Sequence, residues 1–197
     1  MQLKFNNRAL VACVCLLLAS PAWAHGSDAS PFWGGMLHIV MSPLALAALL
    51  GLVAALFGVD EEFCPSVAGV ACVSAAAMAV LGASHASLAA SLAPVGVLFV
   101  GASGLAGWRQ TRPAALGLAL FAGSVIGLAA QLDNPLWQSV LGLALCVGAV
   151  VVLPLLAFKE VKRFPKLQTI LPIARRVLGS WVMAMGLLLT VLSLHKV

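Results

Sequence analysis

Trp33-Gly34-Gly35-Met36-Leu37-His38-Ile39-Val40-Met41-Ser42-Pro43 opens an uncharged run that continues through Leu44 to Gly58. Its length and lack of charge read as the start and body of a membrane-spanning helix. One imidazole, one hydroxyl and two thioethers lie near its mouth. An ionisable side chain is costly in hydrocarbon and is usually kept inside a bundle or beside water, so His38 is the first residue to suspect of function.

The whole chain shares this character. Hydrophobic residues make up 62% of 197 and charged residues 9%, with a mean hydropathy of +1.09. Those values lie outside the range of a soluble globular domain and define an all-α, polytopic membrane protein. The net charge of +5 sits beside apolar segments rather than along an amphipathic stripe, which excludes a nucleic-acid partner and leaves the lipid bilayer.

Residues 1–24 have the layout of an export signal. Lys4 and Arg8 supply the basic start, Ala9 to Ala19 the short apolar stretch, and Pro21-Ala22-Trp23-Ala24 the small-residue cleavage site. Cleavage after Ala24 leaves His25 as the mature N-terminus and residues 25–197 as one transmembrane domain. Of five cysteines, Cys64, Cys72 and Cys146 then remain, with no CxxC spacing. An odd number so spaced argues against a disulfide framework and against a zinc site.

Six apolar segments follow, at about Gly35 to Gly58, Pro65 to Gly82, Ser87 to Trp108, Pro113 to Leu132, Leu136 to Phe158 and Ile170 to Leu194. Each is long enough to cross a hydrocarbon core of about 30 Å as a helix. Short connections separate them, the longest running from Lys159 to Gln168. The expectation is a six-helix bundle in a bacterial inner membrane. With the mature N-terminus outside, Arg109, Arg112, Lys159, Lys162, Arg163, Lys166, Arg175 and Arg176 fall on the cytoplasmic side, and only Lys196 falls opposite. Both mature ends are then periplasmic. Tyr is absent, so interfacial anchoring falls to Trp33 and Trp137 on the outer side and Trp108 on the inner. Gly123 and Gly127 form a GxxxG, and Gly101 and Gly104 give the third segment a small face, both of which favour close helix approach or docking of a membrane partner or a second copy. Pro43, Pro94 and Pro154 fall inside the expected spans, where each can kink a helix.

All four histidines fall on the expected outer side: His25 at the mature N-terminus, His38 in the first turn of span one, His85 before span three and His195 after span six. Imidazole binds nickel, copper and zinc. A shared site would centre on His38, with His25, His85 and the thioether of Met41 assisting; the alternative is a set of separate interfacial residues. No nucleophile elbow, HExxH, phosphate loop or intramembrane carboxylate pair is present, so no enzyme chemistry is expected.

Several local patterns resemble the HupE/UreJ family of small membrane proteins, regarded as nickel permeases associated with hydrogenase and urease. The family's first span carries His-Pro-x-x-Gly-x-Asp-His; in this chain His38 matches the leading His, while Leu44 and Ala45 stand where the Asp and second His would be. His85-Ala86-Ser87-Leu88-Ala89-Ala90-Ser91 is similar to the opening of the family's third span, with His85 in place of its Glu. Phe121-Ala122-Gly123-Ser124-Val125-Ile126-Gly127 resembles its Phe-His-Gly-His-Ala-His-Gly, keeping both glycines and none of the histidines, and Ala174 to Gly179 is similar to its closing helix. The resemblance implies the six-span scaffold and a divergent permease or metal-capture protein for a nickel-type or soft transition-metal ion. A site so stripped of ligands binds a divalent ion weakly. The second function carried forward is a non-transporting subunit that docks a partner through its glycine faces.

Overall fold

The computed structural model describes residues 30–56, 59, 61–106, 111–130, 132, 136–161 and 165–195. The expected signal segment and His25 lie outside the described residues. The helical body runs from Pro31 and is all-helical, with no strand among the described residues. Its elements are α1 (Pro31–Met41), α2 (Pro43–Leu56), a 3-10 turn (Glu61–Phe63), α3 (Cys64–Ser84), α4 (Ala86–Ala106), α5 (Arg112–Ala130), α6 (Trp137–Val161) and α7 (Pro165–Leu194).

Proline marks where most of these helices begin. Pro31, Pro43, Pro65, Pro113 and Pro165 each stand in the first turn of a helix, where the missing amide hydrogen costs nothing and the fixed φ is already helical. α3 ends at His85, whose backbone N–H donates to the Gly82 carbonyl at 3.1 Å. Pro94 and Pro172 lie inside α4 and α7.

The first expected span departs from the reading as one helix over Gly35 to Gly58. It is two helices meeting at Ser42 with a bend of 76°. The cause is local: Pro43 has no N–H to give the Ile39 carbonyl and disfavours α geometry at Ser42. The expected connection from Lys159 to Gln168 is also corrected, since α6 continues to Val161 and α7 begins at Pro165. Basic residues mark the end of the apolar core there, not the end of the helix.

Three stretches, Cys64–Ser84, Arg112–Ala130 and Gln168–Ser193, are long and apolar enough to cross a membrane, and the bent α1–α2 pair makes a fourth if taken as one span. Within α4 and α6 the apolar stretches Ala90–Ala106 and Trp137–Leu153 are shorter.

α2 occupies the middle. It touches α1, α4, α5, α6 and α7, and Ala45, Ala47, Ala48, Leu49 and Gly51 to Leu56 are all buried. A helix apolar on every side belongs in such a position. Around it α3 packs on α5 and α6, α4 on α7, and α1 on α6. Helices as apolar as these are held by close van der Waals approach wherever lipid tails surround them. Small residues supply that approach. A Cβ added at Gly123 would lie 3.0 Å from Cα of Ala71, one at Gly127 2.9 Å from the amide of Ala79, and one at Gly101 2.6 Å from the amide of Met183. A Cβ added at Gly104 would lie 3.5 Å from Cα of Gly179, and one at Gly142, near the start of α6, 3.3 Å from the Met36 amide of α1.

Candidate functional site

The break at Ser42 is built from four hydrogen bonds. The Ser42 N–H donates to the His38 carbonyl at 2.9 Å, and the Ser42 carbonyl accepts from Leu46 N–H at 2.9 Å. The hydroxyl caps α2 by accepting from Ala45 N–H at 3.3 Å. The same hydroxyl donates across the bundle to the Ala129 carbonyl at 2.9 Å. Ala129 lies in the last turn of α5, whose final carbonyls have no helical donors, so one side chain joins the N-terminus of α2 to the C-terminus of α5. In apolar surroundings such an interhelical bond contributes on the order of 1 kcal/mol.

His38 is half-buried in the last turn of α1, and Met41 is exposed. His85 is exposed in the turn between α3 and α4, and His195 is exposed just after α7. These three histidines share one end of the bundle. Gly82 of α3 meets Leu128 of α5 there, Ser42 bonds Ala129, and α7 runs antiparallel to α4, with Gly179 against Leu105 and Gly186 against Leu98. Trp33 and Trp137, both exposed, mark the same end. Arg112, Arg175 and Arg176 occur toward the opposite end, where the Arg112 guanidinium stacks over the Phe63 ring at 4.9 Å.

Sharing an end is not sharing a site. Among the described residues no group of three or more His, Cys, Asp or Glu is placed to hold a metal ion. His38 and His85 lie at one end, and His25 lies outside the described residues. The four glycines Gly101, Gly104, Gly123 and Gly127 are buried against helices of their own chain. Cys72 donates to the Ala144 carbonyl at 3.2 Å, a packing role between α3 and α6.

Two features escaped the reading of the sequence. One is the Ser42 to Ala129 bond; Ser-Pro within an apolar run signals the break but not the partner 87 residues away. The other is an apolar groove of about 950 Å³ between α4 and α5, with the edge-to-face pair Phe99 and Phe121 on its wall. Its serines, Ser103 and Ser124, donate to carbonyls of their own helices. The groove therefore presents hydrocarbon and no polar recognition.

The fold and the site define an all-helical protein with three to four helices suited to a membrane, one of them broken at a serine-capped proline. The chain matches no family model, no curated protein and no solved structure.

Proposed function

We propose that the chain is a divergent HupE/UreJ-like membrane protein, a permease or outer-face capture protein for a nickel-type transition-metal ion. In this reading residues 1–24 are removed on export. The mature chain crosses a bacterial inner membrane six times, α4 and α6 completing the set because they run between the same two ends as the longer helices. The histidine end is periplasmic and the arginine end cytoplasmic, in keeping with the excess of basic residues on cytoplasmic flanks.

The observation that carries the proposal is the interrupted first span with His38 in the turn just before the break. Broken helices at a membrane site free backbone groups where a cargo passes, and an ionisable side chain beside such a break is retained at a cost. With few ligands available, the ion would be held weakly and released readily, which suits passage better than storage. His38 would act as the principal ligand, with Met41, His85 and His25 as outer contacts.

The test is uptake of nickel, cobalt, copper and zinc by cells expressing the wild type or His38→Ala, at matched protein levels. A loss of roughly tenfold or more for one ion is expected, the scale at which removing a contact in a metal site usually acts. Equal uptake by the two proteins would overturn the proposal.

A further inference from the structure

α1 leaves the line of the bundle. α2 runs in step with α4, Gly51 meeting Val100 and Ala54 meeting Gly104, so it follows the direction of its neighbours. α1 is bent from it by 76°. Contacts at the two ends of α1 give the same direction independently. At Ser42 the hydroxyl reaches Ala129, the last residue but one of α5. At Gly35 an added Cβ would lie 2.8 Å from Cα of Ser139, the third residue of α6. α5 ends and α6 begins at the same end of the bundle, so the chain from Gly35 to Ser42 advances across that end and not through the bundle. Helical periodicity divides α1 into three flanks. Gly35 and Ile39 are buried, the first of them against α6. Gly34 and His38 are half-buried on a second flank. Trp33, Leu37 and Val40 form the third, with Trp33 58% and Val40 55% exposed. No charged residue occurs in α1. Beside it α6 exposes Trp137, Leu141 and Leu145 along one side, so the apolar surface of α1 continues that of α6.

We propose that α1 is an interfacial helix, lying in the plane of the membrane boundary at the histidine end with Trp33, Leu37 and Val40 set among phospholipids where headgroups meet acyl chains. Three observations select lipid as the occupant of this flank. It carries no charge, it continues the exposed apolar side of α6, and tryptophans stand on both helices at that level. An indole, with an apolar body and one N–H donor, is suited to that boundary. A free-standing interfacial helix needs a strongly polar face and basic residues to hold it at the surface. α1 needs neither, because Ser42 ties it to α5 and Gly35 packs it on α6. Its three flanks then meet three surroundings: the bundle, the lipid and, on the side of Gly34 and His38, water. α2 alone enters the hydrocarbon. The inference rests on the reading of the chain as membrane-spanning and not on transport of any ion.

The test is the depth of residues 33 and 40 in the purified full chain, reconstituted in phosphatidylcholine vesicles whose acyl chains carry bromine either near the headgroup or near the chain end. Bromine quenches the fluorescence of a tryptophan it touches. The quenching lost in Trp33→Phe reports residue 33, and the quenching gained in Val40→Trp reports residue 40. Leu145→Trp, farther along α6, is the reference. Residues 33 and 40 are expected to be quenched more by the shallow bromine, at depths within about 3 Å of each other, because a helix tilted by 76° gains little depth over seven residues. Leu145→Trp is expected to be quenched more by the deep bromine. Should Val40→Trp fail to fold, Leu37→Trp on the same flank is expected to give the same shallow depth. A separation of about 10 Å, the rise of seven residues along a crossing helix, would overturn the proposal. So would shielding of residues 33 and 40 from both lipids while residue 145 is quenched, which would put a protein partner or a second copy on the flank. Absence of quenching at residue 145 as well would overturn the membrane reading beneath it, so the two failures are told apart.

Discussion

Replacing Gly127 by leucine is expected to leave the bundle unable to seat α5 on α3. The position has no room: an added Cβ would meet the Ala75 carbonyl, lie 2.9 Å from the Ala79 amide and 3.0 Å from Cβ of Met78. Two of those three neighbours are backbone atoms of a helix, which can yield only if the whole helix moves. Gly123, one turn earlier, faces the Ser74 hydroxyl and the Ala71 backbone in the same way. Ser74 cannot swing aside cheaply, because its hydroxyl is bound to the Val70 carbonyl at 2.8 Å. Overpacking a good core commonly costs about 1–3 kcal/mol, and backbone collision along a helix pair belongs among the exceptional losses above about 4 kcal/mol. The measurement is the monodisperse fraction after detergent extraction together with the thermal midpoint. Gly117→Leu is the internal control. It sits on the same helix, but a Cβ there meets nothing within 4 Å, and its effect is expected to stay within about 0.5 kcal/mol. If Gly127→Leu and Gly117→Leu behave alike, the α3–α5 contact is not as drawn.

That contrast shows what the sequence could and could not disclose. A small residue every fourth position says that something approaches closely, and Gly123 and Gly127 were readable on that ground. Gly117 belongs to the same helix and faces open space, a distinction that depends on which side α3 occupies. The helix ends were legible because prolines and short polar turns punctuate long apolar runs; α3, expected at Pro65 to Gly82, spans Cys64–Ser84, and α5, expected from Pro113, begins at Arg112. The break at Ser42 was less legible. An apolar run gives no period by which to see a change of direction, and a proline there reads equally as a kink or as a new start. The histidines were harder still. Their shared end follows from counting crossings, but whether imidazoles converge depends on how α1 and the α3–α4 turn lie across that end, which no spacing encodes.

Arg175→Glu is expected to be the most damaging single charge change in the chain. Arg175 is 8% exposed, a rare state for a guanidinium in an apolar helix. The register of α7 on α4 sets its level in the bundle. Gly186 meets Leu98, Met183 meets Gly101 and Gly179 meets Leu105, so Arg175, one turn beyond Gly179, stands level with the end of α4 at Ala106. Ala54 and Gly51 of α2 approach Gly104 from the other side, which places the end of α2 at Leu56 near the same level. The ends of α2 and α4 thus lie at about the level of this buried cation. A carboxylate at residue 175 would place a charge of the opposite sign in the same buried position, and an uncompensated buried charge costs about 3–5 kcal/mol. Arg175→Lys keeps the sign but not the planar fork of donors, so a smaller loss is expected. The order wild type, Lys, Glu in thermal midpoint and in yield of folded protein is the result to look for. Arg176→Glu gives the contrast, because Arg176 is exposed and its loss is expected to be small. Equal tolerance of glutamate at residues 175 and 176 would mean that burial of residue 175 does not decide the cost of its charge.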